Sequence, residues 1–136
     1  MNKIKLLQEL TSNTFITLQP STIHGIGVFA ITKIPKGCTS IFSKEEGEWV
    51  EVSFKEVEQL PQHAQALIEN FCLFDEEKYF VPAKGFKAID LSLFLNHSNE
   101  PNLISVNEGT YFETLRDIET GEELFIDYGT IVNSKE

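Results

Sequence analysis

Short runs of β-branched and aromatic residues alternate with turn residues over the first part of the chain, and then the period changes. The runs 14–18, 27–31, 39–42 and 49–52 are separated by Pro20, Gly25, Pro35-Lys36-Gly37 and Gly47, which predicts a small antiparallel β architecture. From Ser53 the spacing becomes helical. Ser53 with Glu56 three residues on reads as a capping box, and Val57, Leu60, Ala64, Leu67, Ile68 and Phe71 follow at helical intervals. Pro61 falls inside that run. A proline in a helix interior costs about 3 kcal/mol unless it opens a first turn, so two short helices, or one kinked at Leu60, are expected. Strand signals return after Glu77, at 79–81, 103–106, 111–115 and 123–126, with Asn107-Glu108-Gly109 as a hairpin turn and Asp75-Glu76-Glu77-Lys78 as a solvated loop. The expected class is mainly β with a short helical insert at about 53–72.

A chain of 136 residues fits one domain with a real hydrophobic core. No apolar stretch approaches the ~20 residues of a membrane helix, and Met1-Asn2-Lys3-Ile4-Lys5-Leu6-Leu7 runs into Gln8 and Glu9 rather than into a signal-peptide core. A cytoplasmic address with no membrane partner is expected. Cys38 and Cys72 stand in no zinc-ligand spacing, so they read as buried thiols and no metal is expected. A net charge of -10 repels a phosphate backbone, which argues against direct nucleic-acid binding and favours encounter with a basic polypeptide. Solubility alone accounts for such a surface equally well.

Two segments carry candidate chemistry: Asn96-His97-Ser98-Asn99-Glu100-Pro101-Asn102 and Gly121-Glu122-Glu123-Leu124-Phe125-Ile126-Asp127-Tyr128-Gly129. Alone, the first reads as a polar turn and the second as a strand end, just as Gly25-Ile26-Gly27 alone reads as a tight turn. Their order and spacing, with His24 to Ala30, Ile34-Pro35-Lys36-Gly37, Ile89-Asp90, Phe94-Leu95 and Thr114 to Ile118, resemble the SET-domain family. The resemblance runs from about Thr14 to Gly129, leaving 1–13 as a lead-in and 130–136 as a short tail. It implies the SET (β-clip) fold of small curled sheets, with a pseudoknot-like threading of the C-terminal segment beneath the preceding loop, an exception to unknotted connections. It also implies an S-adenosylmethionine-dependent protein-lysine methyltransferase acting on a basic protein, histone-like or other, with S-adenosylhomocysteine as product. A non-catalytic SET-like module that binds cofactor or a protein partner is the alternative.

The same resemblance assigns Gly25, Ile26 and Gly27 to the methionine part of the cofactor, where glycines let backbone approach closely. Asn96 and His97 are assigned to its adenine and amino-acid end. Without the motif, His97 would read as a turn histidine satisfying its own backbone. Tyr128 is the expected catalytic residue and a cofactor contact, orienting a neutral lysine amine in line with the S–CH₃ bond; a strand-end tyrosine with a satisfied hydroxyl is its bland reading. Ser98, Pro101 and Asn102 are assigned to loop shape, His24 and His63 to the surface or core edge, and Glu123 and Asp127 to structure. Ile126, Ser105 and Phe42 occupy positions where relatives place lysine-channel aromatics, which implies a less aromatic, roomier channel able to accept partly methylated lysine. Eight residues follow Tyr128 and none is cysteine, so no zinc-binding segment is expected beyond the domain. The tail through Ile131 and Val132, a homodimer partner or the substrate itself would then close the channel.

Overall fold

The structure, a computed structural model, describes residues 2–42, 49–83, 85–86, 90–107 and 111–131. Its main sheet is built from pieces far apart in sequence. Strands β1 (Ile16–Pro20) and β2 (Ile26–Ala30) form an antiparallel hairpin. β2 then pairs antiparallel with β8 (Glu123–Ile126), which pairs in parallel with β5 (Asn96–His97), giving the order β1-β2-β8-β5. The last strand therefore lies between the first hairpin and the central motif. Val28, Leu124 and Ile126 are fully buried on this sheet, and they join Ile34, Leu103 and Ile118 in the principal core. Ile34 and Ile118 exchange backbone hydrogen bonds of 2.8 Å in both directions, which ties the turn after β2 to the approach to β8.

The insert has its own small core. β3 (Trp49–Ser53) pairs antiparallel with β4 (Lys78–Pro82). Between them, α2 (Phe54–Glu58) and α3 (Gln62–Phe71) pack Val57, Ile68 and Cys72 against Val52, Tyr79 and Val81. The capping box is present: Ser53 Oγ accepts from Glu56 N at 3.1 Å and Glu56 Oε1 accepts from Ser53 N at 3.0 Å. Pro61 separates two helices rather than kinking one. It is the N-cap of α3 at φ -56, where a missing N–H is no loss. β6 (Leu103–Val106) and β7 (Tyr111–Thr114) form a third, two-stranded sheet. Asn107, at φ +52, leaves β6, while the remainder of the expected 107–109 turn lies outside the described residues, as do Gly47, Ile89 and the tail beyond Ile131.

Two expectations change. Residues 39–42 form no strand. Their segment is anchored through Gly37 and Cys38 instead, whose backbone groups bond to Thr114, while Ile41 drops into the core. An apolar run next to a sheet is β-like in pattern whether or not a ladder forms. The lead-in 1–13 holds a helix, α1 (Lys3–Ser12), capped by Asn2, whose side chain accepts from Lys5 N. None of its residues is buried; Ile4, Leu7 and Leu10 recur at helical spacing but stay exposed.

Candidate active site

The β5–β8 pairing sets Asn96 opposite Phe125 and His97 opposite Ile126, and Ser98 N extends the contact to Ile126 O at 3.1 Å. Beyond β8 the chain turns at Asp127, whose side chain accepts from Gly129 N at 3.0 Å and starts a single 3₁₀ turn, Tyr128–Thr130. Asp127 thus sits just past the strand. The turn brings the Tyr128 ring within 5.1 Å of the His97 ring. Tyr128 N donates to His97 Nδ1 at 3.0 Å, and the Tyr128 hydroxyl donates to the Leu95 carbonyl at 2.7 Å. Because Nδ1 accepts, the proton of the neutral imidazole belongs on Nε2, which faces Asn99 Oδ1 at 3.2 Å. Asp127 Oδ1 lies 3.8 Å from Nδ1, but an accepting Nδ1 makes this proximity rather than an ion pair.

Asn96 ties three motifs together. Its Nδ2 donates to Glu123 Oε2 at 2.8 Å and to the His24 carbonyl at 3.0 Å, with the Ile26 carbonyl at 3.5 Å. Glu123 Oε1 in turn accepts from Ser21 Oγ at 2.8 Å. Gly27 makes room for this bridge, since a β-carbon there would lie 2.8 Å from Glu123 Cδ and 3.1 Å from Asn96 Nδ2. Gly25 differs: it has φ +49 and open space at its missing side chain. Asn102, expected only to shape a loop, clamps β8 by donating to Glu123 O at 2.9 Å and accepting from Phe125 N at 2.8 Å. A single side chain therefore serves as a strand neighbour for β8.

A cavity of about 830 Å³ opens between the two cores, within the usual range for small-molecule sites. Gly25, Ile26, Asn96 and Tyr128 line one side, and Trp49, Glu51, Glu69 and Phe71 of the insert line another. Gly27 and His97 stand behind the wall and support the residues that form it. Ile126 reaches the cavity, whereas Ser105 and Phe42 do not. On β6, Ser105 lies opposite Phe112 of β7, with its hydroxyl buried and without a hydrogen-bond partner among the described residues. Phe42 packs edge-on against Phe112 at 5.5 Å. Trp49, Phe71 and Phe80 of the insert, with Phe94 and Phe112, bring rings to this cavity. His24, expected at the edge, contributes both its carbonyl and part of the wall. No signal in the motifs could have located the insert's aromatics, which reach the site only through tertiary packing.

The SET domain family model matches residues 25–129. A Schizosaccharomyces pombe histone-lysine N-methyltransferase specific for H3 lysine 37 is 35% identical over 117 residues, covering 77% of this chain and 67% of that protein. A candidate histone methyltransferase of Plasmodium falciparum has a similar fold, with TM-score 0.51 and 19% identity over 86% of this chain and 95% of that one. Polycomb Repressive Complex 2 of Chaetomium thermophilum, solved with S-adenosylmethionine bound, gives TM-score 0.56 and 24% identity over 92% of this chain and 16% of that chain. With its three motifs converging on one cavity, the chain belongs to the SET-domain family.

Proposed function

We propose that this SET-domain protein-lysine methyltransferase binds S-adenosylmethionine along Gly25, Ile26 and Asn96 and modifies a lysine in a basic, histone-like segment. The observation that carries the reading is Tyr128 at the cavity wall with its hydroxyl proton committed to the Leu95 carbonyl. The wall suits the cofactor. Its charged side chains among the described residues include Glu51 and Glu69 and neither lysine nor arginine, and aromatic faces with carboxylates favour a cation. When bound, S-adenosylmethionine supplies an electrophilic methyl on a positively charged sulfur.

The chain's own residues then have two tasks. Phe94, Phe112 and Ile126 make an apolar wall, against which a lysine ammonium would lose hydration and its neutral form be favoured. Tyr128, already donating to Leu95, offers its oxygen only as an acceptor and so orients the amine without exchanging a proton. No carboxylate pair is needed for this reaction. The carboxylates at the mouth, Glu51 and Glu69, favour approach by a basic segment. The related fission yeast enzyme, named for a lysine of histone H3, supports a histone-type substrate. Titration calorimetry with S-adenosylmethionine tests the reading before the substrate is known: micromolar binding that Asn96→Ala weakens is expected. A folded wild type that does not bind would turn the reading toward a partner-binding module.

A further inference from the structure

We propose that Glu123 is a positioning residue for the amino-acid end of the cofactor, acting through the Asn96 amide. The inference rests on the methyltransferase reading and extends it to a side chain that does not line the cavity. A side-chain amide has two orientations of nearly equal shape, chosen by its hydrogen-bond partners. Here Nδ2 meets Glu123 Oε2 and the His24 carbonyl, both acceptors, at 2.8 and 3.0 Å. Flipping the amide would set oxygen against oxygen at both contacts, so a single orientation survives. Asn96 Oδ1 makes no hydrogen bond among the described residues and is not among the buried, unsatisfied atoms, while Asn96 lines the cavity.

The chain therefore presents an amide oxygen at this wall, with a carboxylate behind it. A group that both donates hydrogen bonds and carries positive charge fits that arrangement, and the α-ammonium of the cofactor's amino-acid end is such a group. Two features keep Glu123 in place. Ser21 Oγ anchors its other oxygen at 2.8 Å, and the missing side chain of Gly27 leaves space for the carboxylate. Without Glu123, the amide would lose the partner that distinguishes its two orientations most strongly.

The test compares two ligands by titration calorimetry: S-adenosylmethionine, and 5′-methylthioadenosine, which keeps the nucleoside but lacks the amino-acid end. Glu123→Ala is expected to weaken S-adenosylmethionine about tenfold or more and 5′-methylthioadenosine by less than about threefold. Glu123→Gln can still accept from Asn96 and donate to Ser21, and is expected to restore most of the loss. Ser21→Ala, a milder change at the outer anchor, is expected to show the same selectivity on a smaller scale and reads the effect if Glu123→Ala does not fold. Equal weakening of both ligands, or unchanged S-adenosylmethionine affinity in folded Glu123→Ala, would overturn the proposal alone. A folded wild type that binds neither ligand would overturn the methyltransferase reading and this inference with it.

Discussion

The Tyr128 hydroxyl donates to the Leu95 carbonyl at 2.7 Å, across the crossing of the last strand and the segment that leads into β5. Loss of that hydroxyl removes an oriented oxygen from the cavity wall but leaves the ring and its backbone bond to His97. Tyr128→Phe is therefore expected to lower kcat by about 10²-fold or more and to leave S-adenosylmethionine affinity within about threefold. Its thermal stability should fall by the equivalent of about 1 kcal/mol, one hydrogen bond. Single-turnover transfer and calorimetry on the same preparation check both parts, and wild-type turnover in the variant would remove Tyr128 from the chemistry.

Asn102 is 3% exposed and holds both a carbonyl and an N–H of β8. Truncation leaves two backbone groups without partners in a part-buried place, so Asn102→Ala is expected to destabilise the fold by about 2–4 kcal/mol. Denaturant unfolding measures this directly. A change under about 0.5 kcal/mol would mean that the clamp does not hold β8 in solution.

The two glycines of the first motif should respond differently to the same substitution. At Gly27 a β-carbon collides with the Glu123 carboxylate and presses on Asn96, so Gly27→Ala displaces the carboxylate from the bridge and is expected to weaken S-adenosylmethionine binding about tenfold, as loss of Glu123 would. At Gly25 there is space, and the penalty is the left-handed backbone at φ +49, about 1–2 kcal/mol for a residue with a side chain. Gly25→Ala should therefore lose stability while retaining measurable binding. Calorimetry and thermal melts of the pair separate collision from strain.

Acid should weaken the fold through carboxylates held by hydrogen bonds. Asp75 is lowered chiefly by the Glu77 backbone N–H, with Lys78 adding to it, and Asp117 chiefly by the Lys36 backbone N–H. Glu56 is lowered by the Ser53 backbone N–H and Glu122 by the Arg116 guanidinium. A carboxyl whose folded value lies below its unfolded value contributes stability above the unfolded value, about pH 4, and loses it as pH falls through the folded value. Unfolding midpoints are thus expected to be level from pH 7 to about 5 and to drop below about pH 4. Asp75→Asn, which keeps an acceptor for both N–H groups, should flatten part of that drop.

Local rules made much of the fold legible. Ser53 and Glu56 announced the start of α2 because a capping box is complete within four residues, and Pro61 announced the helix break for a similar reason. The three motif segments could be read in order and do meet at β2, β5 and β8. What escaped depended on neighbours distant in sequence. Asn102 looks like any turn asparagine until β8 lies beside it, and Ser105, matched to a channel position by resemblance, stands opposite Phe112 and outside the cavity lining. The run 39–42 was misread because burial of Ile41 requires an apolar residue but no ladder.

The most direct measurement is mass spectrometry of core histones and basic peptides incubated with the protein and methyl-labelled S-adenosylmethionine, beside a Tyr128→Phe control. Label on lysine side chains with wild type, and little or none with the variant, is the predicted result. Label-free substrates under conditions where the wild type is folded and S-adenosylmethionine is bound would contradict transfer to histone-type lysines, and equal labelling by wild type and Tyr128→Phe would contradict the proposed chemistry.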